Sequence, residues 1–395
     1  MTNPISKQFC ALPWFSIQVD HESVLNPCCV YDHKSNDSKI PITNGEASIN
    51  QYLKSIVPIK EKMLAGIDVK ECSGCYKDET SGTVSSRQAA NEYYRTDNSG
   101  DYYKKNLNHF NLFELDIKIN NLCNYACAMC NPLNSSKIYT EWLDSLEVEH
   151  IKDFLSKNPG YLDTVKSCYN NKNTYEVFEN LLNYPIKKLK ISGGEPLMDP
   201  QLINILKSID KVKKRGIDLC IITNGSKDIV KAIKEIGDFK NITILVSLEG
   251  IGKIQEYIRK HSNWKVVEKN ILQWKEQTLK NKRYSLEINH VLQGMSIPNL
   301  DKLVKWSYNN NIPFKYSSIQ EPEYTKHLTI DILNNNIIKD SISKLEKTES
   351  KEDWTKLLKN KYNKELHKEF LTWIKWYERN STIKLIDIIP ELYEI

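Results

Sequence analysis

Cys123, Cys127 and Cys130 stand in Asn-Leu-Cys-Asn-Tyr-Ala-Cys-Ala-Met-Cys, close enough for three thiolates to face one side of a compact loop. A four-iron cube held by three such ligands keeps one iron open, as a catalytic metal keeps one position free for a small molecule. The same spacing also suits a partial zinc site or unrelated thiols near a turn. A second group lies upstream: Cys10 in Phe-Cys-Ala-Leu-Pro-Trp, Cys28 and Cys29 in Asn-Pro-Cys-Cys, and Cys72 and Cys75 in Cys-Ser-Gly-Cys. Four or five thiolates can fill a tetrahedral zinc site or all four corners of another cluster, and spacing does not separate the two. Cys168 and Cys220 are isolated and read as packing residues.

The rest of the sequence limits what can surround these thiols. A length of 395 residues predicts two to three domains. With 40% hydrophobic and 27% charged residues, the composition is that of an ordinary soluble protein. No apolar run reaches the roughly eighteen residues of a membrane span. The opening Met-Thr-Asn-Pro-Ile-Ser-Lys has no apolar stretch suited to a signal peptide. The expected location is cytoplasmic, where the ten cysteines are not expected to form disulfides. The net charge of +5 comes from interleaved acids and bases without a long basic stripe, which is weak support for a nucleic-acid partner.

From residue 112 a short apolar strand, a turn and an amphipathic helix recur. The pattern predicts strands at 113–119, 186–192, 217–223, 242–248, 284–291 and 313–319. Helices are predicted at 134–148, 199–214, 226–237, 251–260, 264–279 and 298–309, with Asp199 and Ser226 as caps. Six alternations imply a parallel sheet of α/β class, best described as a partial (β/α)6 TIM-like barrel. The first crossover, 131–185, is long enough to carry its own helices, Ser136–Leu146 and Tyr175–Leu182. The predicted organisation is a Cys-rich module over 1–110, the barrel over 111–325 and a helical extension over 326–395. The first module is poor in apolar residues and is expected to need a metal centre. The last carries Trp373, Trp376 and Tyr377 at helical spacing and is expected to pack on the barrel wall.

Ligands of parallel α/β sheets sit at the carboxyl ends of the strands. After the three-cysteine loop come Ser192-Gly193-Gly194-Glu195-Pro196, then Thr223-Asn224-Gly225, then Ser247-Leu248-Glu249-Gly250 with Arg259 one helix later. The fifth strand carries Asn289 and His290; the sixth runs into Ser317, Ser318 and Gln320. Gly193 and Gly194 would let a backbone carbonyl approach a ligand, and Glu195 would receive an ammonium; the plain alternative is a tight turn. Ser247 offers a donor to a sugar hydroxyl, and Arg259 a fork for a carboxylate, though each has an ordinary structural reading. His290 reads as a satisfied structural residue. Together the groups match an amino-acid ammonium, a carboxylate and a ribose beside an open iron, the features of S-adenosylmethionine (SAM).

In these motifs and their order the sequence resembles the radical SAM superfamily over about 112–320. The resemblance implies that Cys123, Cys127 and Cys130 ligate a [4Fe–4S] cluster whose open iron chelates the methionine amine and carboxylate of SAM. It further implies that Glu195 contacts the amine, Ser247 the ribose and Arg259 the carboxylate. Met129, at a position often aromatic in the family, would meet the adenine through its backbone, and Asn289 is a weaker ribose contact. The implied chemistry is reductive cleavage of SAM to a 5′-deoxyadenosyl radical that takes hydrogen from a peptide or small metabolite, leading to oxidation, epimerisation or crosslinking. A reductase such as flavodoxin or ferredoxin is the implied electron donor. Cys-x2-Pro-Trp, Pro-Cys-Cys and Cys72-x2-Cys75, with Glu79, Gly82, Ser85, Arg87 and Asn91, resemble the auxiliary-cluster modules called SPASM and twitch. These modules usually follow the barrel and here precede it. The implied auxiliary [4Fe–4S] ligands are Cys10, Cys28, Cys72 and Cys75, with Cys29 competing for the place of Cys28; zinc stays open. The alternatives are tRNA modification, transfer of the SAM aminocarboxypropyl group, or a non-catalytic iron–sulfur electron carrier.

Overall fold

Residues alternating between apolar and polar build a sheet in which one face is apolar and the other mostly polar. Its strands are β1 Ser16–Val19, β2 Leu25–Asn26, β3 Glu114–Lys118, β5 Lys188–Ser192, β6 Asp218–Thr223, β7 Asn241–Ser247, β9 Tyr284–Leu292 and β10 Phe314–Ser318. A separate ribbon pairs β4, Ala126–Cys127, with β8, Arg259–Lys260. The computed structural model describes residues 5–20, 22, 24–32, 45–80, 84–94, 100–169, 172–319, 325–350 and 352–394, so Gln320 and Gly82 lie outside the described residues.

The sheet order is β10-β9-β7-β6-β5-β3-β1-β2. All neighbours are parallel except β1 and β2. The six predicted strands lie where the period-2 pattern put them. The sheet is nevertheless larger than predicted, because β1 pairs in parallel with β3 in the register Ser16↔Glu114 to Val19↔Ile117. The cysteine-rich N-terminal region is therefore an extension of the sheet edge. It also has more core than its composition suggested. Trp14, Phe15, Tyr52, Ile56 and Met63 are buried and belong to the same apolar cluster as the barrel strands. A few large aromatic side chains supply the area that a count of apolar residues understates. Phe9, Trp14 and Tyr103 meet edge-on or tilted at centroid distances of 4.6–5.7 Å.

Helices cover the apolar face. Leu115, Ile117, Leu189, Ile191, Leu219, Ile221, Ile244, Val246 and Ile288 point into it and are buried. Asp199 caps the helix Pro200–Ser208 as predicted, accepting from the N–H groups of Gln201 and Leu202. Ser226 is not a cap: the next helix, Ile229–Ile236, starts later, and Asp228 caps it through the Lys231 N–H. The opposite face alternates with the first and is mostly polar: Glu114, Asp116 and Lys118; Lys188 and Lys190; Cys220; Thr243 and Ser247; Ser285, Glu287 and Asn289; Lys315; Ile222 and Leu245 are among its apolar members. A closed eight-fold barrel fills its interior with branched apolar side chains. Here Cys220 on β6 feels the charges of Lys315 on β10 and Asp116 on β3 as well as those of nearer strands, so this face is concave and its charges look toward one another. Among the described residues no helix is long and apolar enough to cross a membrane.

Candidate active site

The cysteine loop leaves the end of β3 and is fixed on three sides. Cys123 donates its N–H to Ser136 Oγ (3.0 Å), and the hydroxyl returns a bond to the Cys123 carbonyl (3.1 Å). Cys127 lies in β4, where it pairs directly with Arg259 in β8. Ala128 continues the ribbon by donating to the Ile258 carbonyl at 2.8 Å. Cys130 closes a turn by donating its N–H to the Cys127 carbonyl at 3.0 Å.

The third side is the Gly193-Gly194 turn, and its purpose differs from the expected approach of a ligand. The backbone of the cysteine loop comes down onto it. Gly194 donates to the Asn120 carbonyl at 2.8 Å and Glu195 to the Leu122 carbonyl at 2.7 Å. A Cβ on Gly194 would stand 2.2 Å from the Leu122 oxygen, and one on Gly193, where φ is +134°, 2.8 Å from the Asn120 oxygen. Only glycine permits that approach.

Glu195 is buried and already engaged. Its carboxylate accepts from Thr223 Oγ1 (2.7 Å) and the N–H groups of Leu197 (3.1 Å) and Asn224 (2.6 Å). It ties the turn after β5 to the turn after β6, and one lone-pair direction stays open to an ammonium. Burial pushes its carboxyl upward, against these donors. Arg259, expected at a carboxylate, is likewise engaged: Nη2 donates to Glu249 Oε1 at 2.7 Å and Nη1 to Cys127 Sγ at 3.6 Å. Its Nε is buried without a partner among the described residues. Glu249, fully buried, also accepts from the Val291 N–H at 3.1 Å and lies 3.3 Å from His290 Nδ1. His290 itself bridges the Leu248 carbonyl (2.9 Å) and Ser296 Oγ (3.3 Å), consistent with its structural reading. Ser247 and Asn289 are register neighbours at the ends of β7 and β9, and Met129 is half-buried beside Cys130.

Three groups escaped assignment from sequence. Glu249 fixes Arg259. Asn224 donates toward Cys123 Sγ at 3.9 Å while bonding Asn124 Oδ1 at 3.0 Å. The hydroxyl of Tyr377, on the helix Lys364–Tyr377, lies 3.0–3.2 Å from the carbonyls of Ala126, Tyr257 and Ile258. The first two sit in strand-end motifs; no local signal marks Tyr377. The C-terminal helix thus reaches the cysteine ribbon itself, a closer role than the wall packing expected of it. Tyr257 Oη to Glu378 (2.9 Å) and Arg379 to the Glu141 carbonyl (2.9 Å) extend the contact.

The thiols suit a cluster. Cys123, Cys127 and Cys130 are within electrostatic reach of one another. Burial pushes Cys123 up to about 12 and Cys130 well above the usual thiol range, so their protons leave when metal replaces them. N–H groups of Tyr125 (3.5 Å), Arg259 and Asn224 already aim at the sulfurs, the kind of bond that tunes a cluster's potential. Among the described residues no three candidate ligands converge on the centre of a single ion. A four-iron cube does not ask for that, since each thiolate takes its own iron.

In the N-terminal region Cys10 is close to Cys72 and Cys75, and Cys28 to Cys10 and Cys72. Burial raises all four, Cys72 to about 12. Asn91 grips the backbone on both sides of Cys10, donating to the Phe9 carbonyl (2.8 Å) and accepting from the Ala11 N–H (2.9 Å). Arg87 pairs with Glu79 and donates to the carbonyls of Lys7 and Phe9; Ser85 bonds Glu79 at 2.6 Å. Cys29 turns the other way. It is exposed on the concave face, with Lys190 Nζ at 3.9 Å, and feels Lys190, Asp116 and Lys118.

Residues 117–292 match the family model of the Radical SAM superfamily. Among curated proteins, a GTP 3′,8-cyclase of Aquifex aeolicus is 25% identical over 230 residues, 56% of this chain and 62% of that protein. A GTP 3′,8-cyclase of Helicobacter pylori is 25% identical over 215 residues, 54% of this chain and 57% of that protein. The chain spans about three fifths of the length of the curated relatives it matches. Among solved structures, Streptococcus suis SuiB bound to its precursor peptide SuiA aligns at 17% identity and TM-score 0.36, over 82% of this chain and 64% of that one. SuiB bound to S-adenosylmethionine aligns at 17% and TM-score 0.34, over 68% and 57%. The cofactors that go with the matched domain are a [4Fe–4S] cluster and SAM. The three-cysteine loop lies inside the segment that matches the Radical SAM superfamily.

Proposed function

We propose that this chain is a cytoplasmic radical SAM enzyme that removes hydrogen from a substrate held on its concave polar face, aided by an auxiliary [4Fe–4S] cluster in a SPASM- or twitch-like N-terminal module. The observation that carries the reading is the position of Cys123, Cys127 and Cys130 at the end of β3, with N–H donors aimed at two of their sulfurs. When bound, the reduced cluster and SAM supply a 5′-deoxyadenosyl radical, the hydrogen-abstracting species.

The protein's own part is positioning. The Gly193-Gly194 turn, Ser136 and the β4–β8 ribbon fix the thiols. Glu195 would hold the amine, Arg259 the carboxylate through the Nε that has no partner among the described residues, Ser247 and Asn289 the ribose, and the Met129 backbone the adenine. Cys10, Cys28, Cys72 and Cys75 would close every iron of the second cluster, leaving it electron transfer rather than substrate binding. A flavodoxin- or ferredoxin-class protein donates the first electron. Of the two substrate classes, a small metabolite is favoured. The concave face carries several charged side chains, and the curated relatives are named for GTP, itself a small metabolite.

Anaerobically reconstituted protein, reduced with dithionite and given SAM, tests the reading. 5′-Deoxyadenosine is the expected product. Methylthioadenosine would point instead to aminocarboxypropyl transfer, and the absence of both products would overturn the proposal.

A further inference from the structure

Among the described residues the concave face carries one lysine without a counter-charge. Its other lysines pair across neighbouring strands: Lys188 with Glu114 at 3.8 Å, Lys190 with Asp116 at 2.8 Å, and Lys315 with Glu287. Lys188 also stands 3.0 Å from the Tyr93 ring centroid. Asp218, at the rim, is taken up by Lys240 at 3.1 Å and Asn241 at 2.7 Å. That leaves Lys118. It is half-buried, and among the described residues neither a carboxylate nor a hydrogen-bond acceptor engages its ammonium.

Its place gives the vacancy a meaning. Lys118 ends β3 immediately before the cysteine loop, in register with Ser192 at the end of β5. Two residues back on the same face is Asp116, committed to Lys190. Cys29 is within electrostatic reach of all three. On the same face a cavity of about 240 Å³ is lined in part by Cys29, Tyr93, Asp116, Lys188 and Lys190, with Lys118 outside its lining. A partly desolvated cation with no counter-charge adds nothing to folding, and an incoming anion relieves it.

We propose that Lys118 is the anchor for an anionic group of the substrate, a carboxylate or a phosphate, bound on the concave face beside the cysteine loop. This rests on the reading of that face as the substrate site. The neighbouring ion pairs are already neutral and so discriminate little by charge; Lys118 selects for the anion, and Ser192 supplies a neutral hydrogen bond next to it.

Residue-resolved amine footprinting tests this without any turnover, so its result is separate from whether SAM is cleaved. The reconstituted holoprotein is treated with an acetylating reagent, alone, with SAM, and with SAM plus either pyrophosphate or succinate. Modification of Lys118 is then read by mass spectrometry. Pyrophosphate or succinate at ten times its dissociation constant should lower Lys118 labelling about tenfold and spare surface lysines. Which of the two protects assigns a phosphate or a carboxylate. Three results would overturn the proposal: no protection by either anion, full protection by SAM alone, which gives Lys118 to the cofactor, or a Lys118 that resists labelling in the free protein.

Discussion

The two cysteine groups are built in opposite ways. The trio proposed to be catalytic comes from one eight-residue stretch, Cys123 to Cys130, and is pressed into shape by neighbours that are not cysteines: a glycine turn, a serine, a two-residue ribbon and a C-terminal tyrosine. The N-terminal four are gathered from three separate segments, and a clamp, Asn91 with the Arg87–Glu79 pair, grips the segment that carries Cys10. Local spacing fixes the first site; tertiary folding assembles the second. The first has three thiols and buried polar groups aimed around them, as a site with an open position requires. The second has four thiols, as a closed site requires.

The comparison breaks most visibly at the ligands. Cys127→Ser should abolish formation of 5′-deoxyadenosine and lower iron content from about eight per chain to about four, because only one cube would remain. Cys72→Ser should remove a similar amount of iron yet leave SAM cleavage detectable, uncoupled from product. Equal loss of cleavage in both variants would erase the distinction. Cys28→Ser and Cys29→Ser sharpen it: the first should lose the auxiliary iron and the second should keep it, since Cys29 faces Lys190 instead of the other thiols.

Next in size is the buried charge behind the trio. Glu249→Gln removes the carboxylate that neutralises Arg259 and should cost about 3–5 kcal/mol of stability, read as a lowered urea midpoint. Gly194→Ala drives a methyl into the Leu122 carbonyl and should cost about 1–3 kcal/mol and disturb SAM affinity as well. The smallest effect is at Tyr377→Phe. It should cost about 1 kcal/mol, with a shift in the midpoint potential of the SAM-binding cluster and none in the auxiliary one. Unchanged potentials would reduce the C-terminal helix to wall packing.

Much of this was legible because it is local. Period-2 alternation placed β3, β5, β6, β7, β9 and β10, and Cys-x3-Cys-x2-Cys placed the trio. The partners were not legible, because they come from far away in the chain. Glu195 meets Thr223 and Asn224, Gly194 meets Leu122, and Tyr377 meets Ala126 across 251 residues. β1 was missed as part of the barrel sheet because a four-residue strand shows too little alternation to be read as a neighbour of β3. Helix starts slipped, as at Ser226, where Asp228, two residues on, has the same capping chemistry and is the residue that caps the helix.

The contrast between an open and a closed site is tested most directly by electron paramagnetic resonance of the dithionite-reduced, reconstituted protein with and without SAM. The account predicts signals from two clusters, of which SAM changes one and leaves the other as it was. It further predicts that the responsive signal disappears in Cys127→Ser and persists in Cys72→Ser. A responsive signal that survives Cys127→Ser, or a spectrum that SAM leaves wholly unchanged, would contradict it.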